Sequence, residues 1–399
     1  MSAVRHSFVL SLAAIVGLVP FASDMYLASL PEIGEEFSTP VWVTQLTLTG
    51  YLLLLGVGQL VAGPVTDAVG RRRPLLWGLG LFIIGSAVAA VAPNAGLLIV
   101  ARVLQGVGGA IAVVVANSSV RDRAVGAAAT RLYALLLTVS ALAPVLSPTV
   151  GGFVDQYFGW RAVFVVLALI GGATLAAAAA CLPESLPTAE RAKMSFKKTL
   201  GNYGDLFSRP GFVMPLAALA VMFVVLFGYI GGASYVYQGA YELDSAMFGT
   251  VFGLTGLAVM VGAVVVNRLS ARWDLKTLAV LGVSLAVAGS SLGLLATSAN
   301  LPLWVLVIGM GLNLVGIGVC EPPLVGMSMS SIDGNAGTAA AVLGSSQYIL
   351  GAAATVVAGM VAANNSAAWT GILVVGALVS FLLALGTRRP ADDAALVHP

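Results

Sequence analysis

The sequence predicts an all-α integral membrane protein, on three observations. The chain has 399 residues, of which 59% are hydrophobic and only 9% charged; a soluble globular protein carries about 25% charged residues. Apolar stretches of the roughly 20 residues that span a bilayer as helix recur along its whole length. The basic residues gather in alternate loops, as they do in multi-pass membrane proteins.

In order, spans are read at 8–30, 42–65, 74–92, 97–119, 131–153 and 161–182, then at 212–236, 246–267, 275–297, 301–325, 337–361 and 367–386. This gives an N-terminal six-helix bundle over 1–182, a polar linker over 183–210, a C-terminal six-helix bundle over 211–386 and a tail over 387–399. The first span follows a basic start (Arg5, His6) and is read as a retained helix: it is long enough to cross, it contains Asp24, and further spans follow at once. In the linker, Phe196, Leu200, Tyr203 and Phe207 recur at helical spacing among Lys197, Lys198 and Asp205. Two readings stand for it, an amphipathic helix on the membrane surface and a solvated tether.

Charge orients the chain. With the N-terminus inside, 17 of the 19 Lys and Arg residues fall in inside segments, among them Arg71–Arg73, Arg121, Arg123, Arg131, Arg191, Lys193, Arg268, Arg272, Lys276, Arg388 and Arg389. Of the other two, Arg161 lies outside and Arg102 within a span. Both termini are therefore expected to be cytoplasmic. Gly63 before Arg71–Arg73 and Gly262 before Arg268–Arg272 form a weak repeat, which suggests two pseudo-symmetric halves with a substrate site between them.

Three charges lie at membrane depth, where each costs several kcal/mol unless paired, hydrated or neutralised. Asp24 stands six residues before Leu30 and Arg102 six residues after Gly96, each about 9 Å below the outer boundary at 1.5 Å per residue. They are expected to meet directly or through water. Burial disfavours an ionised carboxylate and a nearby cation favours it, so a carboxylate balanced between the two can exchange a proton. A static ion pair fixing helix packing, or snorkelling of Arg102, is the simpler alternative. Glu321 precedes Pro322-Pro323, which is expected to break the helix ladder. Two readings stand equally for it: a functional group, as a second proton site, a ligand for cationic substrates or a hinge residue, and a polar packing group.

Several motifs are ordered along this frame. Gly63-Pro64-Val65-Thr66-Asp67-Ala68-Val69-Gly70-Arg71-Arg72-Arg73 joins the second and third spans. Gly63 is read as permitting close helix approach and Gly70 a tight turn. Asp67 can face a helix N-terminus, for which Ala336-Gly337-Thr338 is the candidate, so that Gly63, Asp67, Gly70, Arg71 and Arg72 act as a conformational latch. Arg102-Val103-Leu104-Gln105-Gly106 opens the fourth span. Ala143-Pro144-Val145-Leu146-Ser147-Pro148-Thr149-Val150-Gly151-Gly152 bends the fifth.

These segments resemble, in register, the loop signature G-x-x-x-D-x-x-G-R-[RK], the fourth-helix motif R-x-x-Q-G and the fifth-helix antiporter motif A-P-x-x-[AS]-P-x-x-G-G of the major facilitator superfamily. Ser23-Asp24-Met25-Tyr26-Leu27 with Leu30-Pro31, and Gly159-Trp160-Arg161, are similar to segments of its drug/proton antiporters for bicyclomycin and for chloramphenicol and florfenicol, the Bcr/CflA group. The chain departs from that group at Ala28, where proline is usual, and at Glu321. The resemblance implies the major facilitator fold, antiport by Pro144, Pro148, Gly151 and Gly152, proton coupling at Asp24 with Arg102 tuning it, and a cavity lined by Ser23, Leu48, Tyr51 and Ser140. Tyr26, Asn117, Tyr235 and Gln347 are further polar or aromatic candidates at membrane depth. A mostly apolar pocket suits lipophilic drugs.

The expected function is thus proton-coupled drug export across the bacterial inner membrane, with transport of a native metabolite such as a sugar, amino acid or siderophore as the alternative. The expected partners are a small lipophilic drug, protons and the lipid bilayer, with the chain acting as a monomer. Enzyme chemistry, a cofactor, a metal and nucleic acid are not expected. His6 and His398 are terminal, the spans hold no metal-ligand spacing, and Cys181 and Cys320 stand alone in apolar segments.

Overall fold

The computed structural model describes residues 6–123, 127–191, 196–332 and 336–387. Arg5, Lys193, Arg388, Arg389, His398 and the tail beyond Thr387 lie outside the described residues, as do the side chains of Arg131, Lys197 and Lys198. Fourteen α-helices account for nearly all the described chain: α1 His6–Asp24, α2 Leu30–Glu36, α3 Val41–Val69, α4 Arg72–Ala90, α5 Ala95–Arg123, α6 Ala127–Phe158, α7 Trp160–Cys181, α8 Phe196–Phe207, α9 Pro210–Ser234, α10 Ser245–Leu269, α11 Leu275–Ser298, α12 Leu303–Ser330, α13 Ala336–Asn364 and α14 Ser366–Gly386. Among the described residues, eleven spans are long and apolar enough to cross a membrane. The remaining predicted span, 131–153, is occupied by α6.

The chain divides into two compact units. One comprises Met1–Ser195 with Asp244–Gly253, and the other Phe196–Leu243 with Leu254–Pro399. Within the first, α5 lies against both α3 and α4. Membrane helices gain little from burying apolar surface, so close backbone contact does the packing. A Cβ on Gly106 would overlap the Tyr51 carbonyl of α3, and one on Gly108 the Gly78 carbonyl of α4. In the second unit α11 runs along α12 by the same means, with Gly282 and Gly289 set against Gly316 and Gly309. Asn313 is buried at this seam and donates to Ser290 Oγ and the Ala286 carbonyl.

Two local expectations are corrected. The first span is not one continuous helix: α1 stops at Asp24, and a single 3-10 turn, Leu27–Ser29, leads into α2. Glu321 does not mark a break, because α12 runs on through Pro322 and Pro323 to Ser330. In the linker, 196–207 is helical.

Candidate functional site

Asp24 is the last residue of α1 and is 5% exposed. Ser23 Oγ lies 2.7 Å from Asp24 Oδ1 and 3.2 Å from the Pro20 carbonyl, so one hydroxyl bridges the carboxyl group and the helix backbone. The chain is held on both sides of the break. Before it, Tyr51 Oη donates to the Val19 carbonyl at 3.0 Å. After it, Tyr26 Oη and Thr47 Oγ1 are hydrogen-bonded at 3.3 Å.

Arg102 comes from α5 and is fully buried. Its Nε donates to the Thr47 carbonyl at 3.2 Å, and its Nη1 to Gln105 Oε1 at 2.7 Å. Gln105 passes the network on to Ser86 Oγ at 2.7 Å. The guanidinium carbon lies 4.3 Å from the Tyr26 ring centroid and 4.4 Å from that of Tyr51, with Phe164 at 5.8 Å. Arg102 Nη2 is buried without a hydrogen-bond partner among the described residues. The direct ion pair expected between Asp24 and Arg102 is not among the ion pairs of the described residues. Tyr26, two residues beyond Asp24, stacks on the guanidinium instead. A cation held by ring faces and neutral acceptors keeps its charge uncompensated, at a desolvation cost that a carboxylate partner would offset.

The antiporter motif supports this region from α6. Gly151 lies against the backbone of Met25, where a Cβ would overlap the carbonyl. One residue on, Gly152 meets the Ser245 carbonyl at the start of α10, and Gly249 in turn meets the Pro148 carbonyl. Thr149 Oγ1 donates to the Gly249 carbonyl at 3.2 Å. The pattern of small residues and prolines thus presents a flat face to the broken helix and to the first turns of α10. Ser147, between the prolines, is fully buried.

The loop motif forms a separate ionic cluster. Gly70 has φ +103°, a conformation that favours glycine, which accounts for the tight turn. The close approach expected at Gly63 is not seen: a Cβ there would meet nothing within 4 Å in its own unit. Arg71 pairs with Asp67 at 2.6 Å and Asp122 at 3.1 Å, and also donates to Thr66 Oγ1 at 2.9 Å. Arg72 donates to the carbonyls of Leu182 and Ala179. Glu184 accepts the backbone N–H groups of Arg71 at 2.7 Å and Arg72 at 3.2 Å, at the start of α4. Burial pushes its carboxyl up, but hydrogen bonds from the backbones of Arg71, Leu186 and Arg72, with the charge of Arg191, bring it below its ordinary value of 4.5.

The expected site residues are not all brought together. Ser23 bonds to Asp24, Tyr26 and Tyr51 lie against the Arg102 guanidinium, and Leu48 follows Thr47 on α3; Tyr26, Leu48 and Tyr51 are fully buried. Ser140 is half-buried on α6. Asn117 is exposed, about 22 Å along α5 from Arg102 at 1.5 Å per residue. Tyr235, at the start of a π-helical turn Tyr235–Ala240, and Gln347 and Glu321, both half-buried, belong to the second unit. Sequence reasoning missed Thr47, Glu184 and Asp155. It quoted Gln105 without assigning it a role, although its i,i+3 spacing from Arg102 puts the two on one helix face.

Residues 12–356 match the sequence profile described as the Major Facilitator Superfamily. The chain belongs to this superfamily. It is 32% identical over 387 residues to a protein of Bacillus subtilis (strain 168) named "Uncharacterized MFS-type transporter YdgK", covering 96% of this chain and 95% of the relative. It is 30% identical over 409 residues to the "Chloramphenicol resistance protein" of Pseudomonas aeruginosa, covering 96% and 93%. The fold matches the crystal structure of a D-xylose-proton symporter with a TM-score of 0.73 at 16% identity, over 94% of this chain and 97% of that one. The chain is therefore a multi-pass membrane transporter of the major facilitator fold and not an enzyme.

Proposed function

We propose that this transporter exports lipophilic drugs across the inner membrane in exchange for protons, with Asp24 as the proton site and Arg102 tuning it. The observation that carries the reading is the placement of Asp24: a carboxyl group at a helix end, 5% exposed, with a serine hydroxyl as its hydrogen-bond partner. Ser23 serves both states of this group. It donates to the carboxylate, and once the carboxyl is protonated it can accept that proton's hydrogen bond while donating to the Pro20 carbonyl. The uncompensated charge of Arg102, held beside Tyr26, favours the ionised state. Resistance named for a relative supports a drug as cargo.

In this reading both termini are cytoplasmic, and Asp67, Arg71 and Arg72 latch the inner end between Gly63 and Gly70. Ser23, Leu48, Tyr51 and Ser140 of the first unit, with Tyr26, Asn117, Tyr235 and Gln347, meet the drug as packing opens. Pro144, Pro148, Gly151 and Gly152 favour antiport, and Glu321 is a second, weaker proton site. The test is chloramphenicol susceptibility of a pump-deficient strain expressing the chain, together with proton release from purified protein on drug addition. Asp24→Asn should return resistance to the empty-vector level and abolish proton release while the protein remains folded. Unimpaired pH-driven export by that variant sinks the reading.

A further inference from the structure

α1 ends at Asp24 ahead of Pro31, whose missing N–H and ring disfavour a helix running on through residue 27; what places the chain after that end comes from outside the helix. Three contacts hold the residues that follow. The Met25 backbone lies against Gly151, with no room for a Cβ. Ser29 Oγ donates to Asp155 Oδ1. Glu36 accepts Trp160 Nε1 at 2.7 Å and Arg161 at 2.7 and 2.9 Å.

The middle contact is the unexpected one. Asp155 is a 4% exposed carboxylate, and among the described residues no cation pairs with it. Burying a carboxylate with so little compensation is costly. Ser29, for its part, stands at the N-cap of α2 but makes no side-chain cap bond. A serine there ordinarily accepts from the second or third N–H of the helix; here the second helical residue is Pro31, which has none. The hydroxyl is spent on α6 instead. Gly151 and Asp155 are four residues apart, on one face of α6, so a single stripe of this helix touches both 25 and 29. Neither residue 29 nor residue 155 falls at a specified position of the motifs quoted above.

We infer that Asp155 is a positioning residue for proton exchange at Asp24: through Ser29 it holds the turn that follows α1 and so where the Asp24 carboxyl group sits. The inference rests on Asp24 being the exchanging group. The other groups on the Asp24 side are Ser23, Tyr26 and Arg102 from α5, with Tyr51 from α3 against that guanidinium; on the other side Glu32 from α2 interacts with Asp155, and Glu35, Glu36 and Arg161 from α7 interact with Glu32. None of them is altered in the variants below.

The test labels Asp24 with a hydrophobic carbodiimide, which reacts with protonated carboxyls, on the full chain in nanodiscs across pH, read by mass spectrometry of the Asp24 peptide. It needs no substrate. Asp155→Ala and Ser29→Ala should each move the labelling midpoint by the same amount, about half a pH unit or more, and the double variant should move it no further. Asp155→Asn keeps the acceptor and should keep the wild-type midpoint. The inference is overturned by an unmoved midpoint in Ser29→Ala, by additive shifts, by Asp155→Asn moving as far as Asp155→Ala, or by no pH-dependent labelling of wild-type Asp24. Should Asp155→Ala fail to fold, Ser29→Ala and Asp155→Asn decide alone. Normal export by Asp24→Asn would sink the proposed function and leave the labelling result a statement about Asp24's position. An unmoved midpoint would sink this inference and leave the export assay standing.

Discussion

Arg71 and Arg102 are both buried in the first unit, 3% and 0% exposed, and they are held in opposite ways. Arg71 sits between two carboxylates, Asp67 and Asp122, with Thr66 filling another donor. Arg102 has a backbone carbonyl, an amide oxygen and two tyrosine faces, and one nitrogen without a partner. A charge paired as fully as Arg71 is a fixed joint, because breaking either partner strands the other. A charge held by neutral groups keeps its field available to a carboxyl nearby. The difference teaches that burial alone does not mark a working charge; the kind of partner does.

The largest expected effect breaks this comparison at its functional end. Arg102→Lys keeps the charge but loses the planar stack between Tyr26 and Tyr51 and the fork to Thr47 and Gln105, so the exchange is not conservative. On the proposed function, drug export should fall about tenfold or more, since two buried cation–π contacts of up to about 2 kcal/mol each are disturbed. Arg71→Lys keeps a donor for Asp67 and Asp122 and should retain most export. Initial rates in everted vesicles at matched expression decide it; the reverse ranking would invert the assignment.

Stability should rank the other way. Arg71→Ala leaves Asp122, whose side chain is 12% exposed, without its cation. Removing one partner of a buried pair costs about 3–5 kcal/mol, so thermal unfolding of the detergent-solubilised chain should show a larger loss for Arg71→Ala than for Asp67→Ala, whose carboxylate is 42% exposed. Equal losses would mean that Arg71 is not the joint described.

The third effect tests how the two regions are held. Gly151→Ala forces α6 off the Met25 carbonyl, an overpacking worth about 1–3 kcal/mol. Gly63→Ala meets nothing in its unit and should change stability by no more than about 0.5 kcal/mol, although both glycines belong to motifs. A loss at Gly63 as large as that at Gly151 would require a contact partner from beyond the first unit.

These cases show what the sequence makes legible. The fold class follows from composition and span length, and each predicted span finds a helix, because twenty apolar residues in lipid have no other way to satisfy their backbone. Asp24 was visible as a charge among apolar neighbours. The end of α1 at Asp24 was not read, although Pro31 just beyond it disfavours a helix running on through residue 27; the contacts that hold the turn lie on α6, more than a hundred residues away. Asp155 escaped because it stands two residues past the predicted end of its span, where a carboxylate is unremarkable. Glu184 escaped because it opens a polar linker and acts through backbone N–H groups, which carry no sequence signal. The partners of Arg102 depend on which rotamer it takes, and an ion pair with Asp24 was equally compatible with the depth of both residues.

The smallest effect concerns Glu184, which joins the start of the linker to the first turn of α4. Its carboxyl lies below the ordinary 4.5 because N–H donors and Arg191 outweigh its burial. A group bound less tightly by protons when folded contributes stability that is complete above the unfolded value and disappears as pH falls through the folded one. The difference in unfolding temperature between wild type and Glu184→Gln should therefore be constant from about pH 7 to about 5.5 and shrink below about pH 4.5. The substitution leaves Arg71, at the start of α4, and Asp122, on α5, in place in both proteins compared. A difference that stays constant to about pH 3.5 would show that folding leaves this carboxyl unshifted, and one that grows on acidification would show that Glu184 is held as a neutral acid; either would remove the clearest contrast between this saturated cluster and the sparsely partnered carboxyl of Asp24.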